Sequence, residues 1–462
     1  MKELFFFALM SGLAILTATA QMDKLQLVVN SAGQTKNYVL ADITRVHFGP
    51  DKLEISTSAA TDGYAYEGTS AVVQDGDHTH NYVNGFCTCQ TEPYQSATKG
   101  SDGSYEIDNG GKLFWYATQV LNGAAYDARL TADIDLEDRL WAPMGNDAHP
   151  YTGTFDGQGH AIKGLNVNQA GKYTGFIGYR TGTNAVKNFI LSGKVTYTGN
   201  TAEDCVGGVV AWANGQNLIQ DVWCAVDIEA PNATKNVRIA GIIAREETQS
   251  TIDRCVYAGT ANGYATAMQV AGILGMAGNP GSGVTVSNNL FIGTLKATNK
   301  EAYVGGIVGY MGKSNFSCKN NLSIGTYEVP SGATRTGAII GSCNRNINAS
   351  MFVNNYMLSG QRVIGTSHSA PSVPTATAVT AETLADGSIT AALGTDNWRQ
   401  DTDNPVPSGG YQKADVNRDG TVDSADIVAV IKEMPDGDKK ADVNGDGVID
   451  SADIVAVIKA MK

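Results

Sequence analysis

Short apolar runs bracketed by small residues recur at a regular spacing through the middle of the chain. Their first residues are 31 to 34 positions apart. The runs occupy residues 175–178, 208–211, 241–244, 272–275, 306–309 and 338–341. A second apolar run follows each of them, at 186–190, 219–223, 252–256, 286–290, 318–322 and 353–357. The pattern predicts six copies of a two-strand unit.

A repeat of this length is typical of a solenoid or a propeller. A propeller blade needs four strands in about 40 residues or more, which does not fit the observed spacing. Stacked coils fit it, with equivalent strands pairing in parallel about 4.8 Å apart. We therefore expect a mainly β fold built on a right-handed parallel β-helix.

Aligning the six copies by their first apolar run places six side chains in one column, just beyond the first strand. It contains Tyr179, Trp212, Arg245, Met276, Tyr310 and Ser342. If the column faces solvent, the aromatic residues Tyr179, Trp212 and Tyr310 form a candidate ligand ridge on which sugar rings could stack. The alternative is that these side chains cover the ends of the core.

A second column is rich in amides. It contains Asn188, Asp221, Arg254, Asn288, Asn320 and Asn355. Stacked amides at a solenoid corner usually hydrogen-bond to the backbone of neighbouring coils, so we interpret this column as a structural ladder.

A catalytic interpretation requires clustered carboxylates on one face, as in polysaccharide hydrolases and lyases. The candidates are Glu246 and Glu247, with Asp253, Arg254 and Arg245 in the same coil. Adjacent residues of a strand point to opposite faces, so Glu246 and Glu247 cannot both line one site in extended backbone. We interpret them as a solvated turn and assign no catalytic residue.

Composition and the N-terminus bear on location and partners. The net charge is −13, which argues against nucleic acid or an anionic membrane surface as the main partner.

Residues 1–20 have a basic start, an apolar stretch and the small-residue site Ala18-Thr19-Ala20, the pattern of a signal peptide cleaved after Ala20. No other apolar run approaches a membrane span, so we expect a secreted or cell-surface protein without a transmembrane anchor.

The region before the repeats carries one candidate metal site. Residues 22–57 alternate apolar and polar positions around residues 30–34, which predicts a hairpin. His78, His80, Cys87 and Cys89 are possible soft ligands, although one-residue spacers are short for zinc. A local disulfide or a polar loop is the alternative. The other cysteines, Cys205, Cys224, Cys255, Cys318 and Cys343, are interpreted as small apolar core residues.

The C-terminus contains two copies of a cation-binding loop, 27 residues apart. Oxygen ligands fall at loop positions 1, 3, 5, 7, 9 and 12, with position 7 contributing its backbone carbonyl. In the first copy these are Asp415, Asn417, Asp419, Thr421, Asp423 and Asp426; in the second they are Asp442, Asn444, Asp446, Val448, Asp450 and Asp453. Each loop carries four carboxylates, so we expect two Ca²⁺ ions in this module.

Two family resemblances follow from these motifs. The glycine-bracketed runs, together with Thr-Gly-Thr-Phe-Asp-Gly-Gln-Gly-His at 152–160 and the closing segments 380–387 and 397–406, resemble the GLUG-motif family of secreted bacterial proteins. That resemblance covers about residues 101–407. It implies a surface or secreted protein, often adhesin-like, and no single enzymatic activity.

The C-terminal module resembles a type I dockerin. Position 12 is Asp instead of the bidentate Glu of an EF-hand, and one helix accompanies each loop, predicted over residues 427–433 and 454–461. The resemblance implies binding to a cohesin-like domain of a scaffold or surface protein. Its partner-recognition positions correspond to Ser424, Ala425, Ser451 and Ala452, and because both copies read Ser-Ala-Asp-Ile-Val-Ala-Val-Ile-Lys, either could present the same face. A purely structural calcium module is the alternative.

The sequence predicts a signal peptide (1–20), a β-rich region with a loop (21–100), a GLUG-repeat β-helix (101–407), a linker (408–413) and a small α-helical type I dockerin (414–462). The expected function is non-catalytic: calcium-dependent attachment to a cohesin-bearing partner and display of a β-helix for glycan or protein contact. The alternative is a polysaccharide-degrading enzyme, a hydrolase or lyase, of a dockerin-linked complex.

Overall fold

A computed structural model describes residues 25–67, 69–75, 80–87, 92–264, 268–278, 283–312, 315–343, 349–367, 376–401, 403–408, 414–416, 422–434, 441–444 and 448–461. The chain divides into two compact units, Met1–Gln95 and Ser96–Lys462. Among the helices described, none is both long and apolar enough to cross a membrane.

The first unit contains two three-stranded antiparallel sheets, β2-β1-β6 and β3-β4-β5. Their strands are β1 (Leu25–Ser31), β2 (Gln34–Val39), β3 (Ile43–Phe48), β4 (Lys52–Thr57), β5 (Thr61–Ala65) and β6 (Thr69–Asp75), and a 3-10 turn covers Leu40–Asp42. The predicted hairpin is confirmed as β1 and β2. Ala32 and Gly33 both have positive φ, as a type I′ turn between two right-twisted strands requires.

The second unit begins with short strands and one amphipathic helix. These are β7 (Thr98–Lys99), β8 (Tyr105–Ile107), α1 (Gly110–Leu121), β9 (Ala128–Leu130), β10 (Ile134–Asp135), β11 (Phe155–Asp156) and β12 (Ala161–Gln169). The Asn109 side chain caps α1 by accepting a hydrogen bond from the Lys112 N–H. Phe114 packs edge-on against the ring of Trp141, so the helix covers the aromatic start of the solenoid.

The body of this unit is a parallel β-solenoid of six coils, which confirms the predicted fold class. The first face is β13 (Tyr173–Thr174), β16 (Cys205–Gly207), β19 (Arg238–Ala240), β24 (Gln269–Ala271), β29 (Tyr303–Gly305) and β34 (Thr336–Gly337). The second face is β14 (Ile177–Thr181), β17 (Val210–Asn214), β20 (Ile243–Glu246), β25 (Leu274–Ala277), β30 (Val308–Met311), β35 (Ile340–Cys343) and β38 (Ile364–Ser367).

The third face belongs to a 20-stranded sheet that also includes β7 to β12. Its other strands are β15 (Ala185–Tyr197), β18 (Gln216–Glu229), β21 (Gln249–Asp253), β22 (Val256–Tyr257), β23 (Thr260–Gly263), β26 (Val284–Ser287), β27 (Leu290–Phe291), β28 (Thr294–Ala297), β31 (Phe316–Lys319), β32 (Leu322–Ser323), β33 (Thr326–Glu328), β36 (Phe352–Val353), β37 (Asn355–Leu358) and β39 (Ala376–Val379). A 3-10 turn covers Ala349–Met351. Each coil thus has more strands than the two predicted, because the first-face strands are too short to show an alternating pattern.

The five solenoid cysteines lie in the interior, as apolar core residues do. Cys205, Cys224, Cys255, Cys318 and Cys343 are all fully buried and free of disulfides. Burial raises the pKa of Cys205 and of Cys224 to about 12, so these thiols remain protonated at neutral pH.

The amide column lies at a corner where every coil adopts the left-handed backbone conformation. Its members, with φ between 51° and 59°, are Asn188, Asp221, Arg254, Asn288, Asn320 and Asn354. Aligning the six repeats of the sequence placed Asn355 in this column. That prediction is wrong by one residue, because Asn354 occupies the position. Phe352, not Val353, pairs with Cys318, and this register carries Asn355 into a separate, buried ladder.

The buried ladder joins three coils through amide hydrogen bonds. The Asn321 carbonyl oxygen accepts from the backbone N–H and the side-chain amide of Asn289, both at 3.0 Å. The Asn321 amide in turn donates to the Asn355 carbonyl oxygen at 3.0 Å and to the Val286 backbone carbonyl at 2.9 Å. Asn321 therefore satisfies polar groups that have no access to water.

We predict that Asn321→Ala lowers the unfolding free energy by about 3 kcal/mol, because it leaves several buried donors and acceptors unpaired. The neighbouring Asn320→Gly variant should cost less than about 1 kcal/mol, since glycine adopts its left-handed backbone freely. Calorimetric melting of the two variants tests the difference. Equal losses would contradict a specific role for the buried ladder.

A closing segment packs across the outside of the third face. It contains α2 (Ala381–Ala385), α3 (Ser388–Leu393), β40 (Trp398–Gln400) and β41 (Pro405–Pro407). Its apolar side chains cover a column of outward residues in register, Val256, Leu290, Leu322 and Tyr356. The Arg254 guanidinium also donates to the Asn397 side-chain oxygen at 3.2 Å, which ties the segment to the corner of the third coil.

The C-terminal module contributes two helices, α4 (Ser424–Glu433) and α5 (Ser451–Ala460). Both begin three residues earlier than the predicted starts. The reason is a capping box in each copy, in which Asp423 or Asp450 caps the helix and the carboxylate three residues on bonds back to the cap. Val430 and Val457 are fully buried in the core of the module.

Candidate functional site

The predicted calcium ligands lie at the starts of α4 and α5 and in the segments before them. The structure describes Asp415, Asp423 and Asp426 of the first loop and Asp442, Asn444, Val448, Asp450 and Asp453 of the second. Asn417, Asp419, Thr421 and Asp446 lie outside the described residues.

Position 12 of each loop is a fully buried carboxylate. Asp426 and Asp453 have no exposed surface, and each accepts a hydrogen bond of 2.9 Å from the backbone N–H of its helix cap. Asp453 accepts a second bond, 3.0 Å, from the Asn444 backbone N–H, which fixes loop position 3 against position 12. Asp415, at position 1, is also buried.

This donor set fits calcium. Several carboxylates and an amide lie in one short loop, and a hard cation with six to eight oxygen ligands would be held by positions 1, 3, 5, 7, 9 and 12. Burying carboxylates is costly unless positive charge accompanies them. The bound cation would supply that charge, and the helix caps would keep the position-12 carboxylates oriented towards it.

The predicted partner-binding residues are at the exposed first turns of the two helices. Ser424 and Ala425 begin α4, and Ser451 and Ala452 occupy the same places in α5. Sequence reasoning missed four exposed apolar side chains farther along the helices. They are Val428 and Ile431 on α4 and Val455 and Ile458 on α5, each about half exposed. The sequence feature that could have predicted these exposed side chains is the run Ile-Val-Ala-Val-Ile, because it has more apolar residues than one buried helix face requires.

The candidate ligand ridge forms a side-chain ladder on the second face. Parallel pairing places Tyr179, Trp212, Arg245, Met276, Tyr310 and Ser342 at equivalent positions of successive coils. All but Ser342 are partly exposed. Tyr179 and Trp212 are neighbours, whereas Tyr310 packs separately with Tyr303, 5.3 Å between ring centroids.

Two cations lie over the Trp212 ring near the start of this ladder. The Arg245 guanidinium lies 4.1 Å from the centroid of the Trp212 ring, and the Lys172 ammonium lies 4.9 Å from it. Tyr179 stacks on Tyr173 with 5.1 Å between centroids and 12° between planes. The cluster is therefore a packed aromatic and cationic surface, not a row of bare rings.

The acidic candidates for catalysis are held in structural interactions. The solvated turn expected at Glu246 and Glu247 is wrong: Glu246 ends β20 and is fully buried, and Glu247 is largely buried and ion-paired with Arg245. Arg254 binds Asp221 at 2.7 Å and Asp253 at 2.7 Å. Burial raises the pKa of Asp221, while Arg254 opposes that rise.

The soft-ligand candidates before the repeats are only partly described. His80 lies 3.2 Å from a Glu92 carboxylate oxygen and stacks on Tyr82. Cys87 is partly exposed and free of a disulfide. His78 and Cys89 lie outside the described residues, so metal binding at this site stays a prediction.

Comparison with known proteins identifies the C-terminal module. Residues 413–462 match the Dockerin type I domain. Dockerins of this type bind cohesins, are generally calcium-binding, and typically belong to extracellular proteins. The module therefore indicates attachment of this chain to a cohesin-bearing partner.

The solenoid resembles solved structures at low identity. A Bacteroides ovatus protein described provisionally as an immunoglobulin A1 protease has a TM-score of 0.50 and 20% identity, covering 68% of this chain and 94% of its own. A structure named IgA1 Protease has a TM-score of 0.36 and 14% identity, covering 74% of this chain and 29% of its own. The first likeness shows the fold alone. No curated protein matches the chain.

Proposed function

We propose that this chain is a secreted or cell-surface, non-catalytic repeat protein. Its dockerin, loaded with two calcium ions, attaches it to a cohesin-like domain, and its solenoid, of the GLUG type, displays a surface for glycan or protein contact. The duplicated loop-and-helix module at 413–462 is the observation that carries this proposal. The N-terminal pattern of residues 1–20, with its cleavage site near Ala20, supports export.

The surroundings of the acidic residues favour display over catalysis. A general acid and base must reach a substrate bound on the surface. Glu246 is enclosed in the solenoid, and Asp221 and Asp253 are held by Arg254. The aromatic cluster of Tyr179 and Trp212, in contrast, is partly exposed on a rigid sheet. A preformed surface of this kind suits recognition without turnover.

We predict that the full-length protein binds at least one immobilised glycan without releasing sugar products, and that Trp212→Ala weakens this binding about tenfold, equivalent to about 1.4 kcal/mol. The reason is loss of the central ring of the aromatic cluster. Binding is measured on immobilised glycans, with released reducing ends and unsaturated sugars assayed in parallel.

The matched control is Trp115→Ala, which removes another partly exposed tryptophan, on α1, that packs against Tyr105. It should bind as the wild type does. Equal losses in both variants would mean that the effect is general, and sugar release would establish the enzymatic alternative instead.

A further inference from the structure

The two dockerin helices carry the same outward face. On α5 this face is Ala452, Val455, Ala456 and Lys459, spaced so that the side chains share one side of a helix. On α4 the equivalent residues are Ala425, Val428, Ala429 and Lys432. Val428 and Val455 are nearly equally exposed, at 49% and 48%. Sequence and exposure to water therefore do not distinguish the two faces.

The solenoid does distinguish them. The α5 face lines a cleft of about 750 Å³ whose opposite wall comes from the solenoid and its closing segment. Trp223 and Ile292 form the apolar part of that wall, and Asp401, Asp403 and Asn404 form its polar part. None of the α4 residues lines this cleft. One copy of the duplicated face is thus turned towards the chain's own body.

The size of the cleft determines what can enter it. A cleft of about 750 Å³ accommodates water or a small molecule. A protein partner does not fit inside it, because a stable protein interface needs a surface of about 800 Å² on each partner. Water reaches Val455 as readily as Val428, but a protein domain cannot approach the α5 face while the solenoid stands across the cleft. Lys459 and two residues of opposite charge, Asp401 and Asp403, line the same cleft.

We propose that the intact chain presents only the α4 face, Ala425, Val428, Ala429 and Lys432, to its cohesin-like partner, because its own solenoid blocks the α5 face. This inference rests on the proposed attachment through the dockerin. It replaces the symmetry expected from the duplicated sequence with a single docking orientation, and therefore a single direction in which the solenoid projects from its partner.

Cysteine labelling of the full-length protein tests the blocked face without a partner. Ala425→Cys and Ala452→Cys are introduced separately into a background in which Cys87 and Cys89 are replaced by Ser. The five solenoid cysteines are fully buried and remain. Each variant reacts with N-ethylmaleimide and, separately, with a maleimide carrying a polyethylene glycol as bulky as a protein domain.

We expect N-ethylmaleimide to label both positions at similar rates. The bulky reagent should label residue 452 about tenfold more slowly than residue 425, which corresponds to a difference of about 1.4 kcal/mol in the free energy of reaching the labelled site. A flexible Gly/Ser insertion in the 408–413 segment should remove that difference. Equal rates with the bulky reagent in the uninterrupted chain would overturn the inference.

A binding measurement separates this inference from the proposed function. Ala425→Arg should abolish capture of a cohesin domain by the full-length protein, whereas Ala452→Arg should leave capture unchanged. If both variants lose capture, the α5 face also docks and the inference fails. If the wild type captures no cohesin domain while the labelling remains asymmetric, the proposed attachment fails and the blocked face stands.

Discussion

Chelation of calcium should abolish capture of a cohesin partner by the full-length protein, with affinity falling more than about 100-fold, or about 2.7 kcal/mol. Each loop carries four carboxylates within twelve residues. Without a cation these charges repel one another, and the buried position-12 carboxylates, Asp426 and Asp453, lose the compensating charge that their burial requires. The expected docking residues of α4 lie next to Asp426 in the first turn of that helix, so they should lose their geometry when the loop loses its cation.

Hydrogen exchange measures the loss of helix structure in chelator, and calorimetry measures the number of calcium ions bound. Exchange of the α4 and α5 amides should become fast in chelator, while that of the solenoid strands stays slow. The wild type should bind two calcium ions and Asp453→Ala one. Asp386→Ala removes an exposed carboxylate outside the module, at the end of α2, and should preserve both binding and exchange. Unchanged capture in chelator would contradict a calcium-dependent dockerin.

Local motifs made the calcium module predictable. Its expected ligands follow from spacing within each loop, and the family match supports the dockerin itself, while the ligand roles of Asp423 and Asp426 and the docking role of Ser424 stay predictions. The starts of the helices were misplaced by three residues because Asp423 and Asp450 are both expected ligands and helix caps. Which helix faces the solenoid depends on the packing of distant segments, and no local pattern encodes it.

Coil spacing made the solenoid predictable, but not the placement of every side chain. Glu246 lies in a polar stretch of the sequence, which predicts a turn. In the structure it pairs with Ala213 and Ala277 of the adjacent coils, and these small side chains leave interior room for its carboxyl group. The Ser250 hydroxyl donates to it at 3.4 Å. Burial of Glu246 thus depends on residues more than 30 positions away.

The glycine at the start of five of the six apolar runs, the exception being Ala338 in the last, is explained by the same stacking. A Cβ added at Gly241 would lie 2.5 Å from the Gly272 carbonyl oxygen and would collide with the ring of Tyr257. Gly272 is the equivalent glycine of the next coil, so the obstacle is backbone that is itself fixed by parallel pairing. The recurring glycines therefore mark points where successive coils approach too closely for any side chain.

Gly241→Ala should lower the unfolding free energy of the solenoid by about 3 kcal/mol, at the upper end of overpacking effects, because neither the Gly272 carbonyl nor the enclosed Tyr257 ring can move aside. Scanning calorimetry should show an earlier solenoid transition. Gly171→Ala is the matched control, since its Cβ would meet only the flexible end of the Gln169 side chain, at 3.1 Å. If Gly241→Ala melted with the wild type, the coils could separate locally and the glycine repeat would require an explanation other than steric contact between neighbours.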